Sequence, residues 1–425
     1  MGVAGVRAHD LNHRRHQPDG REPDAASLAA AYLYGDVLEA VVEHVPAADL
    51  SATARVSREW LRAVRAALRR RPRRLPWLVV HVQARGGRRC AAAYDPCSGA
   101  WLAVPAPPRH ATPSHVRLVR GARGDRVCAL SLSGLAVAAD PLGAAGCVAM
   151  GAPAVWRVDP VFAAVGDRVV ALGGACGLAL AEGEDDAAVE VHEAGAWAAC
   201  EPMPGALRGS ASATWLSAAA TDRRVYLVER ITGWTSWFDP AERRWGPTRR
   251  LMPDPAVTTW GVAPGRAGAG AGERLVLFGA KRADKEAECT VAVQAWEVDG
   301  ETLLPIPSAS SDAMPPELSE RLFPRDDLDG EEEEDLDDAP LSVGVCGNAA
   351  GGYVYNAAEP AHGAVLYELR EAGEEAKGSA TAVVRWEWVP CAPAVQAEPL
   401  GRAILACSPV GLDELAVAVG TRVLH

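Results

Sequence analysis

No stretch of the sequence approaches the roughly 20 consecutive apolar residues that a membrane-spanning helix needs. The opening residues MGVAGVRAHDLNHRRHQPDGREPDAA also lack the apolar centre of a secretion signal. A cytosolic or nuclear protein without a membrane partner is expected. A myristoylation signal wants Ser or Thr at position 6, where Val6 stands, so residues 1–27 read as a disordered tail. Cysteine is present ten times, at Cys90, Cys97, Cys128, Cys147, Cys176, Cys200, Cys289, Cys346, Cys391 and Cys407, but never in the paired short spacing of a zinc or redox site. These thiols read as reduced, behaving as small buried hydrophobes in runs such as RVCALSL and AILACS. The glycine-rich APGRAGAGAGERL leads into no helix, so it is a linker between β-type runs rather than a phosphate cradle. No cofactor and no metal are expected.

What is present is 425 residues, 49% hydrophobic and 23% charged, enough for two or three globular domains. The net charge of −12 is local, because ten of the thirteen residues from Asp326 to Asp338 (DDLDGEEEEDLDD) are acidic and the remainder is nearly neutral. Their spacing does not fit a calcium-binding helix-loop-helix loop. The segment at about 324–340 reads instead as a disordered acidic insertion.

Between Leu33 and Trp60 lie three short helical patterns, LYGDVLEAVVEHVPAADLSATARVSREW. Asp36 is a candidate N-cap for a helix with Val37, Leu38, Val41, Val42 and Val45 along one face, and Pro46 ends it. Asp49 begins a second turn carrying Leu50 and Thr53. Ser57 caps a third helix with Trp60, Leu61, Val64 and Leu68 on one side. So few residues seldom make a self-sufficient core. The unit must be completed by another protein or by the rest of the chain.

The pattern Leu33, Asp36-Val37-Leu38, Val41, Val45-Pro46, Asp49-Leu50, Val56-Ser57, Trp60 resembles the F-box motif, with Tyr34 where that family usually has Pro. The resemblance places an F-box at 28–74. It implies a Skp-type adaptor as partner and, through it, the cullin and RING subunits of a ubiquitin ligase. It also implies an adaptor face formed by Leu33, Val37, Leu38, Val41, Val45, Pro46, Leu50, Val56 and Trp60. Six arginines follow between Arg65 and Arg74; no aromatic residue interleaves them, so they read as the solvated end of a helix and not as a nucleic-acid patch.

From Trp77 onward short β-type runs alternate with Gly, Pro and Asp. YDPCSGAWLAVPAP (94–107) and FDPAERRWGPTRRL (238–251) each put Trp six residues after an Asp-Pro turn, and VHEAGAWAACEPMP puts Trp197 in the same role. Trp101 and Trp197 are 96 residues apart, twice the 48 that separate Trp197 from Trp245, and AADPLGAAGCVAMGAP is a weaker copy midway. A 48-residue period is close to that of kelch repeats, each a four-stranded blade, and ALGG (171–174) resembles the double-glycine end of a kelch second strand. The expected fold is mainly β: a six-bladed kelch-type β-propeller over 75–425, preceded by the three-helix F-box. Its ring would be closed by RAILACS (402–408) joining the first blade as innermost strand. The fifth blade is expected to end on TLLPIP. The periodic tryptophans should pack between blades.

Taken whole, the chain resembles the plant kelch-type F-box receptors, which implies a non-catalytic substrate-recognition subunit whose propeller loops hold a client protein. Some relatives direct the turnover of phenylpropanoid or flavonoid enzymes, and the resemblance extends that client class here. Basic loops between second and third strands supply candidate client contacts at Arg85, Arg88, Arg89, Arg230, Trp234, Lys281, Arg282 and Lys285. A ubiquitin-independent kelch scaffold is the alternative reading. A propeller oxidase is a weaker one, because the ten histidines are scattered and no close pair sits beside a Tyr on a blade.

Overall fold

The computed structural model describes residues 35–70, 75–84, 88–104, 117–120, 127–131, 134–138, 142, 147–175, 188–266, 272–285, 288–306, 312–324, 341–369 and 383–415. The tail at 1–27, Leu33, Arg85 and the acidic run from Asp326 to Asp338 lie outside them.

The first apolar pattern folds as α1 (Asp36–Glu43), with Gly35 and not Asp36 at the N-cap position. Asp36 instead opens the helix, where its carboxylate lies 3.7 Å from Arg70. Pro46 caps the start of α2 (Ala47–Ala54), its fixed φ suiting the position before a helix. In α3 (Arg58–Arg70) the Ser57 hydroxyl accepts from the backbone N–H groups of Glu59 and Trp60, satisfying two of the helix's orphan donors.

Most of the rest of the described chain forms six antiparallel sheets, joined by turns and short helical segments. In chain order the first contains β1 (Trp77–Gln83), β2 (Arg89–Asp95) and β3 (Ala100–Val104). The second has β4 (Arg117–Arg120), β5 (Val127–Ser131), β6 (Gly134–Ala138) and β7 (Cys147–Gly151). The third has β8 (Val161–Val165), β9 (Arg168–Leu172), β10 (Val189–Glu193) and β11 (Ala196–Cys200). The fourth runs β12 (Leu216–Ala220), β13 (Val225–Glu229) and β14 (Trp234–Asp239). Its outer edge is split between β15 (Arg244–Trp245) and β16 (Arg249–Arg250), both paired to β14. The fifth has β17 (Thr259–Pro264), the long pair β18 (Arg274–Lys285) and β19 (Glu288–Asp299), and β20 (Asp312–Ala313). Its outer strand is thus β20 and not TLLPIP, of which only Pro305 makes an isolated bridge, to Val298. The sixth has β21 (Val343–Asn348), β22 (Gly351–Asn356), β23 (Ala364–Leu369) and β24 (Val383–Val389).

A final strand, β25 (Arg402–Ser408), returns to the first sheet and pairs antiparallel with β1 from Trp77↔Ser408 to Gln83↔Arg402. The innermost strands β25, β4, β8, β12, β17 and β21 then contact one another in a closed circle. Closure removes the bare inner edge that β1 would otherwise offer to other chains. The fold is a six-bladed β-propeller carrying three helices at its N-terminal end.

The recurring tryptophans show why the period is legible. Trp101, Trp197 and Trp245 stand opposite Tyr94, His192 and Phe238 across a strand pair, with ring centroids 5.3, 5.2 and 5.1 Å apart. Each indole N–H crosses to the blade before it. Trp197 donates to the Gly151 carbonyl at 2.7 Å, Trp245 to Glu201 at 3.1 Å and Trp101 to Pro390 at 3.2 Å. The acceptor always lies at the end of the neighbour's outermost strand, and for Trp101 that neighbour is the sixth blade.

Candidate functional site

Two surfaces at opposite ends of the ring stand out. The helical unit packs where the innermost strands end. Leu38, Val42, Ala47, Leu50, Ala63, Val64 and Ala67 share one core with Trp77 and Val79 of β1, Ala93 of β2, Val104 of β3, and Leu142. Leu415, in a helical turn at 412–415, completes it. Each leucine or valine among them contributes about 1.5–3 kcal/mol on full burial, so the first blade supplies much of the core that the helices lack. The Asp95 carboxylate, 1% exposed, adds a polar contact to the Ala47 N–H at the start of α2.

This packing divides the expected adaptor face. Leu38 and Leu50 are turned inward and buried, while Val45 and Trp60 are half-buried. Val37, Val41 and Val56 remain 55%, 41% and 65% exposed, and Pro46 is exposed beside them in sequence. Val37 and Val41, one helical turn apart on α1, and Val56, in the turn before α3, thus hold β-branched apolar side chains open to water, which solvates them poorly.

At the other end, a cavity of about 620 Å³ opens at the ring axis. Val161, Leu216 and Arg402, the first residues of β8, β12 and β25, help to line it. Because these residues begin the innermost strands and the helices sit where such strands end, cavity and helices are separated by the depth of a blade. Asp159, Arg230, Arg402 and Glu359 bring two charges of each sign to a lining that is otherwise mostly apolar. Leu400 on the rim is 83% exposed, and Val158, Trp215 and Ile231 are exposed on loops of the same end.

The double glycine shapes this end. Gly173 and Gly174 have φ of 55° and 65°, and a Cβ would fall 2.4 Å from the Ala211 carbonyl oxygen in the first and 2.3 Å from the Asp159 carbonyl carbon in the second. Only glycine fits. The Gly174 N–H donates to Ala211 at 2.6 Å and its carbonyl accepts from Val158 at 2.7 Å, tying the loops into and out of the blade together. Asp159 then accepts from the Thr214 N–H and hydroxyl at 2.8 and 2.7 Å. Beneath them the Arg157 guanidinium, fully buried, donates to Glu190 at 2.9 Å and to the Gly173 carbonyl.

The basic candidates do not gather into one patch. Arg88 pairs with Glu398, and Lys281 with Asp254 at 2.6 Å. Arg230 lines the cavity and donates to the Val343 carbonyl at 2.6 Å. Arg89 is half-buried, and loss of solvation lowers its pKa. Trp234 lines a separate cavity of about 380 Å³ with Arg249 and Arg250. Arg282 is half-buried on β18, and Lys285 stands at that strand's end. The exposed apolar residues of this end, Val158, Trp215, Ile231 and, on the cavity rim, Leu400, are the feature the sequence does not announce. A single signal for it existed, Trp215 falling outside the tryptophan period and one residue before an innermost strand.

The chain is 30% identical over 396 residues to an F-box/kelch-repeat protein of Arabidopsis thaliana, spanning 90% of this chain and 91% of that one. Among solved structures, hydrazine synthase of Kuenenia stuttgartiensis is similar at a TM-score of 0.34 and 9% identity, over 71% of this chain and 80% of that chain. No protein-family model matches.

Proposed function

This chain belongs to the plant F-box/kelch-repeat proteins, and from that premise we propose that it is the substrate-recognition subunit of an SCF-type cullin-RING ubiquitin ligase. The observation that carries the reading is the pairing of an open valine face, Val37, Val41 and Val56, with a rimmed cavity at the far end of a closed ring. The valines, with Pro46 and the half-buried Val45 and Trp60, are the seat of a Skp-type adaptor. Leu38 and Leu50 support that seat from beneath. A client protein docks at the cavity end, on the rim around Leu400, on the loops carrying Arg88 and Arg230, and on the end of β18 carrying Arg282. The chain's product is proximity: a client held beside a charged ubiquitin-conjugating enzyme reacts at a raised effective concentration.

Enzymes of phenylpropanoid or flavonoid synthesis are the client class that the resemblance suggests. The test is affinity purification of the tagged full chain from plant tissue with the proteasome blocked, read by mass spectrometry. Adaptor, cullin and a client accumulating together support the reading. A client recovered without adaptor or cullin would instead make the protein a ubiquitin-independent scaffold.

A further inference from the structure

Positive charge in this chain is carried almost wholly by arginine. Of 43 lysine and arginine side chains 40 are arginine, and the three lysines are Lys281, Lys285 and Lys377. The 280 residues before Lys281, the F-box helices among them, contain none, although lysine is one of the commonest residues of globular proteins. Solubility does not ask for this, because lysine would carry the same charge at an exposed site. The chemical difference is nucleophilicity. A lysine amine attacks acyl groups once it has lost its proton, whereas a guanidinium stays protonated at any pH in a cell. A receptor that brings a ubiquitin thioester to a client brings it to its own surface as well, and an arginine surface offers that thioester no acceptor.

The lysines within the described residues sit together, at the end where the client is held. β18 pairs with the innermost strand β17 as far as Ala280, opposite Thr259, the first residue of β17. The ribbon of β18 and β19 then continues through five more pairs, from Lys281↔Ala292 to Lys285↔Glu288, about 17 Å at the usual rise of a strand. Innermost strands begin at the cavity end, so this extension leads away from the adaptor seat. Among the described residues no other blade has so long a hairpin: β18 and β19 are 12 residues each, and the remaining strands are seven or fewer. Lys281 is held within the fold, its ammonium 2.6 Å from the Asp254 carboxylate, and an amine kept as ammonium has no lone pair to offer. Lys285 stands at the last pair of the ribbon. Lys377 lies outside the described residues.

We propose that Lys285 is the position at which the ligase modifies its own receptor, the acceptor amine for ubiquitin when no client amine is presented. This rests on the substrate-receptor reading given above. In the step, the neutral Lys285 amine attacks the carbonyl carbon of the ubiquitin thioester carried by the conjugating enzyme. The C–N bond forms as the C–S bond breaks; the thiolate leaves and takes the amine's surplus proton, giving an isopeptide and a free thiol. A client seated at the same end presents competing amines to the same thioester, so self-modification falls as client occupancy rises.

The test is reconstitution of the purified full chain with Skp-type adaptor, cullin, RING subunit, activating and conjugating enzymes, ubiquitin and ATP, without client. Modified positions are mapped by mass spectrometry, and the Lys285 isopeptide should dominate. K285R keeps the charge and should lower self-modification about fivefold or more, while K281R and K377R each lower it by less than about twofold. K285R/E288K moves the amine to the position paired across the ribbon and should restore at least about half of the wild-type rate. Modification mainly at Lys281, Lys377 or the N-terminal amine, or K285R modified as fast as wild type, would overturn this proposal and leave the receptor reading standing. An assembled complex that builds free ubiquitin chains but leaves the receptor unmodified would do the same. A chain that fails to assemble with adaptor and cullin would overturn both.

Discussion

The Asp95 carboxylate accepts a hydrogen bond from the Ala47 backbone N–H at 3.3 Å, joining the first blade to the second helix. It also accepts from the Cys97 N–H at 3.0 Å and the Ser98 hydroxyl at 2.8 Å. Asp239, at the matching Asp-Pro turn of the fourth blade, makes the same kind of turn with the N–H groups of Ala241 and Glu242. A turn residue belonging to the repeat has thus acquired a second role in the first blade. The helices are fixed to the ring and do not hang from a flexible linker.

Removing that carboxylate should uncouple the helices from the blade. Asp95→Ala leaves the buried Ala47 N–H without its acceptor and loosens the turn, a loss of about 1–3 kcal/mol. Hydrogen exchange should quicken across α2 and the β2–β3 turn while the fourth and fifth blades stay protected. Asp95→Asn keeps an acceptor oxygen and should lie between the two. Exchange that quickens in the β2–β3 turn alone, with α2 unchanged, would show that Asp95 serves only its own blade.

The divided helical unit predicts two kinds of variant. Val37→Asp with Val41→Asp alters exposed positions and should abolish adaptor pull-down with little change in melting temperature. Leu38→Ala opens a cavity in the core shared with the first blade and should cost about 2–5 kcal/mol. Retained pull-down by the Val37/Val41 double variant would place the adaptor elsewhere.

The blade period was legible because three tryptophans repeat one job, an indole crossing to the previous blade's backbone, and a job done at a fixed place leaves a fixed spacing. The fifth blade's outer strand escaped because Asp312–Ala313 is two residues long and carries no β-type run, whereas TLLPIP does. The N-cap of α1 was misplaced for a related reason. Asp36 is the usual capping residue type, but Gly35, at φ 60°, already turns the chain there. The apolar residues of the cavity end escaped because Val158, Trp215, Ile231 and Leu400 come from separate loops and come to share an end only when the ring closes.

Ring closure depends on β25. A chain ending at Gly401 loses the strand that pairs with β1 along its length and bares that strand's inner edge. It should be recovered as soluble aggregate by size-exclusion chromatography. Trp101→Phe keeps the ring packing but loses the bond to Pro390, so about 0.5–1.5 kcal/mol is expected in denaturant unfolding with the chain still monomeric.

His81 on β1 gives a pH signature. Burial, and then the Arg89 charge, hold its imidazole at about 4, below its ordinary 6.5. The native state therefore needs it neutral, and between pH 6.5 and 4 the unfolded chain binds the extra proton. This contribution to stability is complete above pH 6.5, declines as pH falls through that window and is level below it. Urea midpoints from pH 7.5 to 4 should show the slope, and His81→Gln should reduce it. An unchanged slope would mean that other groups carry the acid sensitivity.

The cavity end separates charge from apolar contact as the basis of client recognition. Lys281 and Arg88 already face carboxylates of their own chain, and the cavity lining itself holds balanced charges. What is left unsatisfied is the rim, where Leu400 is 83% exposed. Exposed apolar residues around a concave centre are where binding energy concentrates once a partner excludes water. Leu400→Asp should therefore weaken binding of the client found by co-purification at least tenfold, with adaptor binding intact. Arg282→Glu should change it less than threefold at physiological salt. Arg230→Glu is a poorer probe, since its guanidinium also holds the Val343 carbonyl and its loss disturbs the fourth and sixth blades together. If Arg282→Glu proves as damaging as Leu400→Asp, an acidic client surface is being read after all, and the basic loops rather than the rim select what is degraded.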